Sequence, residues 1–374
     1  MSEQSFAYCD ALGPAKVVEI YQPSLDLRAI LVIDNVAAGP SIGGIRMARA
    51  IGVEECFRLA RAMTLKNAMA GLPHGGGKSM IRGDPDGDPG EKEALVRAFA
   101  YAIAGHTDYI PGPDMGTDET CMGWVWGEIG RAIGLPTELG GIPLDELGAT
   151  AYGLRAAAQV AAPYCGLSLE GARVAIEGFG AVGAHAARFL ADEGAIIVAV
   201  SDSHGAVRNE AGLDLDALAR LPAEGRSVAE LASGETMARE RLIEVACDIW
   251  IPAAGPDTIR LDNVDRMQAR LVLEGANIPA TEAAEMRLHE RGVLVVPDFV
   301  ANAGGVICGA MEYRGMGRAQ AFHEIAERVA ANTEAVLKAA RMDGVTPRQA
   351  ARRIAEERVK RAMAFGRWSG SGRG

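Results

Sequence analysis

The sequence lacks the features that mark nucleic-acid-binding and membrane-spanning proteins. Acidic residues outnumber basic ones by 49 to 38, and no run of Lys and Arg forms a basic stripe. This charge balance argues against nucleic acid and anionic membranes as partners. No stretch of about eighteen or more apolar residues occurs, so no transmembrane helix is expected. The opening segment MSEQSFAYCD has neither a charged nor an apolar region of the kind that a secretory signal needs.

Closely spaced cysteines are also missing. The six cysteines are scattered along the chain, and no two of them form a C-x-x-C pair. Disulfide frameworks and thiolate metal sites require a closer or more regular spacing. The sequence therefore predicts free thiols in a reducing cytoplasm and no bound metal.

Lysine is scarce, because only six of the 38 basic residues are lysines. Two of them, Lys66 and Lys78, lie twelve residues apart in the glycine-rich segment MTLKNAMAGLPHGGGKSMI. A desolvated ammonium group can lose its proton, whereas a guanidinium cannot. If two amines share one pocket, one can stay charged and bind a carboxylate while the other gains and loses a proton during the reaction. Solvated surface lysines are the ordinary alternative.

Strands and helices alternate along the chain, which is typical of an α/β fold. At about 150 residues per domain, its length suits two domains. The first third predicts strands at 17–21, 28–34 and 75–82 and helices at 54–70, 91–105 and 118–133. The loop-like segment at 140–148 is the expected hinge, and the pattern from 301 to 367 is almost wholly helical.

A dinucleotide site is predicted in VAIEGFGAVGAHAARFL, where Gly178, Gly180 and Gly183 have G-x-G-x-x-G spacing. The glycines would permit a tight turn, close approach of the backbone to a pyrophosphate, and close packing of helix on strand. A turn without a ligand is the alternative, but the flanking strand and helix favour a nucleotide. Asp202 ends the next strand, where a carboxylate binds a ribose 2′-OH and repels a 2′-phosphate. NAD is therefore predicted over NADP, although His204 and Arg208 could offset that repulsion.

Several long motifs, in order, make the chain similar to the glutamate/leucine/phenylalanine/valine dehydrogenase family over residues 17–361. They are GPSIGGIRM (39–47), MTLKNAMAGLPHGGGK (63–78), GPDMGT (112–117), TAYG (150–153), GFGAVG (178–183), EGANIPAT (274–281) and PDFVANAGGV (297–306). The resemblance implies a substrate-binding and oligomerisation domain at 1–145, a Rossmann-like NAD domain at 146–330, and C-terminal helices at 331–374 that return to the first domain. It also implies a homo-oligomer.

The resemblance further implies roles for single residues. Lys66 matches the lysine that binds the substrate carboxylate, Lys78 the lysine that polarises the carbonyl or activates water, and Asp114 the catalytic acid/base. From the residues alone, Asp114 could equally be a turn carboxylate. The remaining implied substrate residues are Ile42, Gly43, Gly44, Met63, Gly112, Asn277, Val306 and Gly309. The remaining implied cofactor residues are Thr150, Ala181, Val182, Ser203, Ala253, Ala254, Gly255 and, again, Asn277.

The substrate side chain is predicted from four positions that the resemblance places around it. Glutamate-handling members have a Lys where this chain has Ile42 and a serine where it has Gly309. A glutamate carboxylate without a cation would be costly in an apolar pocket. Together with Gly112 and Val306, these residues predict a roomy apolar pocket and a phenylalanine, leucine or valine type of substrate, with phenylalanine first.

Three alternatives stay open from the sequence. A glutamate dehydrogenase with an unorthodox carboxylate partner is the first, because SDSHGAVRNEAGLD and EGANIPAT look closer to the glutamate branch and His74 or Arg155 could supply a cation. A non-catalytic nucleotide sensor and a primary-amine dehydrogenase are the others. The intact Lys66, Lys78 and Asp114 disfavour both. The main prediction is reversible oxidative deamination of an L-amino acid to the 2-oxo acid and ammonia.

Overall fold

The computed structural model describes residues 6–365 and divides the chain into two compact units. Unit 1 contains the described residues of Met1–Pro143, Val306–Ala321 and Arg352–Gly374, and unit 2 contains Leu144–Gly305 and Phe322–Ala351. The helices that follow residue 301 are thus shared between the two units. The last two residues of the helical stretch predicted at 301–367 lie outside the described residues.

Unit 1 contains a five-stranded sheet in the described part of the chain, in the order β1-β2-β4-β3-β5. Its strands are β1 (Lys16–Gln22), β2 (Leu27–Asn35), β3 (Ser41–Ala48), β4 (Gly75–Arg82) and β5 (Tyr109–Pro113), and its helices in the first 130 residues are α1 (Val53–Met69), α2 (Pro89–Ala102) and α3 (Glu119–Ile129). β2 runs antiparallel to β1 and β4, whereas β3 is parallel to β4 and β5. The sequence did not indicate β3, which completes the parallel part of the sheet.

The two faces of this sheet differ, because successive side chains of a strand point to opposite faces. Ile45 and Tyr109 face the core that α2 and α3 cover, together with Phe99. Met80 faces the core that α1 covers. By alternation, Lys78 of β4, Gly44 and Arg46 of β3, and Gly112 of β5 point to the α1 side. The candidate reactive residues therefore share one face of the sheet.

The helix predicted at 118–133 is shorter than expected, because α3 ends at Ile129. Gly130 adopts φ +66°, and its N–H bonds to the carbonyl of Trp126, which is a common way for a helix to end. The chain then runs back to β5, where the Ile133 N–H donates to the Pro111 carbonyl at 2.9 Å. Ile133 is therefore brought onto the sheet rather than into a helix.

Unit 2 contains a seven-stranded sheet in its described residues, in the order β12-β11-β10-β6-β7-β8-β9. The strands are β6 (Arg173–Glu177), β7 (Ile196–Ser201), β8 (Ala206–Arg208), β9 (Glu235–Met237), β10 (Ile249–Pro252), β11 (Leu271–Leu273) and β12 (Leu294–Val296). β12, β11, β10, β6 and β7 pair in parallel. β6 lies between β7 and β10, so the strand order reverses at β6, and ligands of open α/β sheets bind at such switch points.

The α-helices that follow residue 143 in the described part of the chain are α4 (Ala149–Tyr164), α5 (Ala181–Ala191), α6 (Leu215–Ala223), α7 (Glu282–Glu290), α8 (Asp298–Ala301), α9 (Gly304–Tyr313), α10 (Arg318–Asp343) and α11 (Pro347–Met363). The two-domain α/β architecture with a Rossmann-like sheet and C-terminal helices agrees with the prediction. Over residues 6–365, none of the helices combines the length and apolar character that a membrane crossing requires.

Candidate active site

Lys78 and Asp114 form an ion pair on the α1 side of the first sheet. Lys78 lies in the middle of β4, and Asp114 follows the last residue of β5. The Lys78 Nζ is 2.8 Å from the Asp114 Oδ2, and the lysine side chain is only 6% exposed. An amine and a carboxylate are thus held in contact away from bulk water, which suits proton transfer.

The ion pair depends on a glycine in the neighbouring strand. A Cβ atom on Gly44 would lie 2.7 Å from the Asp114 Cβ and 3.2 Å from the Lys78 Nζ. Any side chain at this position would separate the two groups. Gly43, the preceding residue, allows another close approach, since its Cβ would lie 1.7 Å from the Gly77 carbonyl oxygen.

Arg46 is a second cation at Asp114. Its Nε is 2.9 Å from the same Oδ2 that Lys78 contacts, and its Nη1 is 2.9 Å from the Glu55 Oε1 on α1. The site is therefore a chain of alternating charges from Glu55 through Arg46 and Asp114 to Lys78.

The pKa values of Lys78 and Asp114 are both shifted from their ordinary values. Burial lowers the pKa of Lys78 below its ordinary value, although the adjacent Asp114 opposes the shift. Burial alone would raise the pKa of Asp114, but the nearby Lys78 and Arg46 hold it below its ordinary value. The site thus favours an ionised carboxylate next to an amine that gives up its proton more readily than an exposed lysine does.

Lys66 and Met63 lie in the last two turns of α1, which ends next to this part of the sheet. Asn67 donates from Nδ2 to the Gly75 carbonyl at 2.7 Å and to the Ile42 carbonyl at 3.4 Å. These bonds attach the end of α1 to both β3 and β4. Lys66 is half-buried there, in the turn that Asn67 anchors.

The space near the two predicted pocket glycines is occupied. A Cβ on Gly112 would lie 2.9 Å from the Ile133 Cγ1, and a Cβ on Gly309 would lie 2.7 Å from the Ile133 Cδ1. The glycines therefore make room for the buried side chain of Ile133. Val306 lies one turn before Gly309 on α9, and Ile42 lies on β3 two residues before Gly44.

A buried carboxylate holds the segment that carries Ile133. Glu312, three residues after Gly309 on α9, accepts from the N–H groups of Leu135 at 3.1 Å and Ile142 at 2.8 Å. Burial raises the pKa of Glu312. Ile133 is thus fixed on two sides, by its own bond to β5 and by the Glu312 carboxylate after it.

The predicted cofactor glycines form a tight turn between β6 and α5. Gly178 has φ +93°, and a Cβ there would lie 2.7 Å from the Ala254 backbone. A Cβ on Gly183 would lie 1.9 Å from the Gly178 carbonyl oxygen, whereas a Cβ on Gly180 would meet open space. Gly180 precedes α5 as its N-cap and provides no side-chain cap, so the N–H groups of Ala181, Val182 and Gly183 can donate hydrogen bonds to an anion. These residues fit a dinucleotide pyrophosphate.

Asp202 follows the last residue of β7, the strand next to this turn, and its carboxylate is hydrogen-bonded within unit 2. Oδ1 accepts from the His204 N–H at 2.8 Å and the Ser227 Oγ at 3.0 Å, and Oδ2 accepts from the Val228 N–H at 2.8 Å. Burial would raise the pKa of Asp202, but these bonds hold it below its ordinary value. Ser203 is exposed, with its Oγ 3.0 Å from the His204 Nδ1.

Asn277 lies in an exposed loop after β11, and the side chains of Asn302 and Asp298 hydrogen-bond to this loop. The Asn302 Nδ2 donates to the Asn277 Oδ1 at 3.1 Å, and the Asp298 Oδ2 accepts from the Ile278 N–H at 2.9 Å. The Thr150 Oγ1, at the start of α4, would be 3.1 Å from a Cβ on Gly305, so Thr150 lies next to the start of α9.

A buried charge cluster lies under the Asn277 loop. Arg348 contacts Glu274 and Glu285 at 2.5 Å each and Asp298 at 2.9 Å. One guanidinium thus faces three carboxylates. Burial raises the pKa of Glu274 to about 8, although Arg348 opposes the shift.

The structure groups the predicted residues by unit. The substrate positions lie in unit 1 except for Asn277, and the cofactor positions lie in unit 2. Sequence reasoning missed Arg46, Ile133, Glu312 and Asn302. Arg46 lies within GPSIGGIRM and Asn302 within PDFVANAGGV, which was a usable signal, whereas nothing local marked Ile133 or Glu312. No group of three or more potential metal-ligating side chains is arranged to hold an ion within residues 6–365.

Two family models cover most of the chain. The model for glutamate/leucine/phenylalanine/valine dehydrogenase matches residues 140–366, and the model for the dimerisation domain of the same enzymes matches residues 14–131. The chain belongs to this family. It is therefore an oxidoreductase of the amino acid dehydrogenase class, whose members use nicotinamide cofactors.

The named relatives are glutamate dehydrogenases. The chain is 38% identical to glutamate dehydrogenase of Aeropyrum pernix, with 89% of this chain and 85% of that protein covered. It is 41% identical to an NADP(+)-dependent glutamate dehydrogenase of Pyrobaculum calidifontis, with 75% and 70% covered. It is 37% identical to a catabolic NAD-specific glutamate dehydrogenase of Bacillus subtilis, with 79% and 73% covered.

Solved structures show the same fold. A hetero-hexameric glutamate dehydrogenase of Thermus thermophilus in a leucine-bound form has a TM-score of 0.83 and 28% identity, covering 98% of this chain and 93% of that one. L-tryptophan dehydrogenase of Nostoc punctiforme has a TM-score of 0.73 and 25% identity, covering 94% and 97%.

Proposed function

We propose that this chain catalyses the reversible NAD-dependent oxidative deamination of an L-amino acid with an apolar or aromatic side chain. The products are the 2-oxo acid and ammonia. The observation that carries this proposal is the buried ion pair of Lys78 and Asp114 at 2.8 Å, which supplies an amine and a carboxylate where proton transfer can occur.

The reaction assigns a task to each group. The turn at Gly178, Gly180 and Gly183 would hold NAD, and the cofactor would supply the acceptor for the hydride that leaves the substrate Cα as the substrate becomes an imine. Lys78, after losing its proton, helps water to add to the imine carbon. Asp114 carries protons to and from the departing amino group. Lys66, with its side chain protonated, binds the substrate carboxylate. The low pKa of Lys78 suits this task, because a permanently charged amine could not accept a proton.

The proposed preference for an apolar substrate side chain is supported by the aliphatic residues at and near the predicted substrate positions of unit 1. Ile42, Ile133 and Val306 are aliphatic, and Ile133 is buried between Gly112 and Gly309. Ile133 takes up part of the space expected for the substrate, which favours leucine or valine over phenylalanine. A substrate carboxylate would need a cation here, and an aliphatic wall supplies none.

Arg155 and His74, the two residues that could have bound a glutamate side-chain carboxylate, have other partners in the structure. Arg155 donates from Nε to Glu193 at 2.6 Å and stacks on Tyr152. His74 bonds to the Pro40 carbonyl through Nδ1, and burial lowers its pKa, so it stays neutral near pH 7. Both observations weigh against a bound glutamate carboxylate at these residues.

Glutamate dehydrogenase activity is the second candidate. The named relatives at 37–41% identity are glutamate dehydrogenases, and this is the observation that favours it. The L-tryptophan dehydrogenase of similar fold supports the first candidate, since it carries an aromatic substrate on the same architecture.

NAD over NADP rests on the charge of Asp202. Its carboxylate is held ionised at the end of β7, where the 2′-position of a bound ribose would come. Its hydrogen bonds to Ser227 and Val228 fix that charge in place. The relatives include enzymes of both specificities. We further propose a homo-oligomer, in line with the matched dimerisation domain. The similar enzyme from Thermus thermophilus is a hetero-hexamer, which supports oligomerisation but not identical subunits.

A substrate panel tests the proposal. The purified chain is assayed with L-leucine, L-valine, L-phenylalanine, L-tryptophan and L-glutamate, each with NAD and with NADP, and Asp114→Asn serves as the inactive control. The expected result is a higher kcat/KM with leucine, valine or phenylalanine and NAD. Glutamate outrunning all of these would overturn the side-chain preference. Nucleotide binding without turnover of any amino acid would indicate a sensor, and turnover of isopentylamine would indicate an amine dehydrogenase.

A further inference from the structure

Two cations share a single oxygen atom of Asp114. The Lys78 Nζ lies 2.8 Å from Oδ2, and the Arg46 Nε lies 2.9 Å from the same oxygen. The side chains of Arg46 and Asp114 are 18% and 22% exposed, so neither charge is fully hydrated. The proposed function uses Asp114 and Lys78 but assigns no task to Arg46.

Deprotonation of Lys78 creates an electrostatic problem. If Lys78 were the only cation at Asp114, its loss of a proton would leave a mostly buried carboxylate without a counter-charge. Breaking a buried pair in this way is strongly unfavourable. Lys78 would therefore keep its proton at the pH where the reaction needs the neutral amine. A second cation that never titrates removes this difficulty, and a guanidinium has that property.

We propose that Arg46 is a positioning residue for the reaction: it holds Oδ2 of Asp114 so that the carboxylate stays charged and in place when Lys78 gives up its proton. This inference rests on the proposed function, because it assumes that Lys78 titrates during turnover. It assigns Arg46 a task that acts through Asp114 and Lys78 rather than through contact with the substrate.

The backbone fixes Arg46 and Asp114 side by side. β3 and β5 pair in parallel up to Ile45 and Pro113. Arg46 directly follows Ile45, and Asp114 directly follows Pro113. The Asp114 N–H donates to the Thr117 Oγ1 at 3.0 Å, and that hydroxyl donates to the Ile45 carbonyl at 2.7 Å. The pairing of β3 with β5 therefore places the side chains of Arg46 and Asp114 next to each other.

Glu55 completes the arrangement from α1. Its Oε1 lies 2.9 Å from the Arg46 Nη1, and its side chain is half-exposed. Arg46 thus spans two carboxylates with two different nitrogen atoms. A lysine, with one nitrogen, could keep the charge but not both contacts.

The other groups around Lys78 do not replace Arg46. Lys78 faces Asp114 directly after β5, Arg46 on β3, and Cys56 on α1, whose Sγ is 3.3 Å from the Lys78 carbonyl oxygen. Burial raises the pKa of Cys56 to about 12, so this thiol is neutral. The remaining ionisable groups of α1 near the site are Glu55, which pairs with Arg46, and Lys66, which the proposed function assigns to the substrate.

Removal of Arg46 should make Lys78 harder to deprotonate. Burial and the positive charge of Arg46 both lower the pKa of Lys78, while Asp114 raises it. Without Arg46, one lowering influence is lost and Asp114 depends on Lys78 alone. The pKa of Lys78 therefore rises, and the acid limb of the pH profile of kcat/KM moves to higher pH.

The kinetic test compares wild type with Arg46→Gln and Arg46→Lys. For Arg46→Gln the acid limb should move up by about one pH unit or more, and kcat should fall about tenfold for each unit at a fixed pH below the limb. The KM for the amino acid should change little, because Arg46 does not bind the substrate. Arg46→Lys keeps the charge and should show a smaller shift. Arg49→Gln, which removes a surface arginine paired with Asp84, is the matched control and should leave the profile unchanged.

A second readout does not require turnover. The chain has only six lysines, so carbon-13 NMR of labelled lysine Cε can follow each titration, with Lys78 assigned from a Lys78→Arg variant. The Lys78 titration should move to higher pH in Arg46→Gln. An unmoved titration, or an equal loss of rate at every pH, would overturn the inference, since a purely structural residue behaves that way. A wild type inactive on every amino acid would overturn the proposed function, and the NMR titration would still decide whether Arg46 controls Lys78.

Discussion

The side chain of Ile133 lies where a side chain on Gly309 would have to be. A Cβ built on Gly309 would be 2.7 Å from the Ile133 Cδ1, although the two residues are far apart in the sequence. Gly112 faces the same isoleucine from β5. The space beside both glycines is therefore filled by Ile133, and on the proposed function this residue limits the room for the substrate side chain.

Ile133→Ala should widen the range of substrates. Removing the side chain opens space between Gly112 and Gly309, so the ratio of kcat/KM for phenylalanine over valine should rise about tenfold or more. The deletion should also cost about 2–5 kcal/mol of unfolding free energy, because Ile133 is buried. Ile103→Ala removes a buried isoleucine from the opposite side of the same sheet and should lower stability without changing the ratio. An unchanged ratio in Ile133→Ala would show that this residue does not bound the substrate.

Gly44→Ala should inactivate the enzyme while the protein still folds. The added methyl group would meet the Asp114 Cβ and the Pro113 carbonyl oxygen at 2.7–2.8 Å, which displaces Asp114 from Lys78. A shift of about 1 Å in a catalytic group can cost about a hundredfold in kcat. Gly105→Ala, at a position with open space, is the control. Wild-type kcat in Gly44→Ala would contradict a role for the Lys78–Asp114 contact.

Lys78→Arg should abolish the acid limb of the pH profile. In the proposed reaction Lys78 acts as the neutral amine, so activity should be lost as pH falls below its lowered pKa. A guanidinium does not titrate in this range, and kcat should fall by about 10²–10⁴ at all pH values. Lys360→Arg, at an exposed position on α11, should have no effect. If Lys78→Arg kept a normal acid limb, another group would have to be responsible for it.

Glu274→Gln should stabilise the protein at alkaline pH. Glu274 has its pKa raised to about 8 by burial, against 4.5 for an ordinary glutamate. The folded state therefore binds more protons than the unfolded state between these values, and wild-type stability falls as pH rises from about 4.5 to about 8. Glutamine cannot ionise and removes this loss. Thermal unfolding at pH 5 and pH 8.5 should show the variant gaining relative to wild type at the higher pH.

The control for Glu274→Gln is Glu235→Gln, which neutralises an exposed carboxylate paired with Arg208. This variant should show little pH-dependent difference, because surface pairs contribute little to stability. A Glu274→Gln variant that follows wild type at both pH values would mean that Glu274 is ionised throughout, with Arg348 compensating its charge.

The sequence alone determined those features that depend on local spacing. Three glycines at fixed offsets after a β-rich segment can hardly form anything but a tight turn before a helix, and Gly178, Gly180 and Gly183 do so. The sequence did not indicate β3, so the shared face of Gly44 and Arg46 became known only from the structure. Lys78 could be singled out because a lysine among glycines is an unusual setting, whereas Asp114 could equally be a turn carboxylate from the residues alone and was assigned by the resemblance.

Only the tertiary structure decided how distant segments complete the site. Ile133, Glu312 and the Arg348 cluster join residues separated by 50 or more positions, and no local pattern encodes such a pairing. α3 ended at Ile129, and the chain then returned to β5, so Ile133, which was expected in a helix, packs beside Gly112 and Gly309. Side-chain volume is filled by whichever segment packs there, and that depends on the whole fold rather than on neighbouring residues.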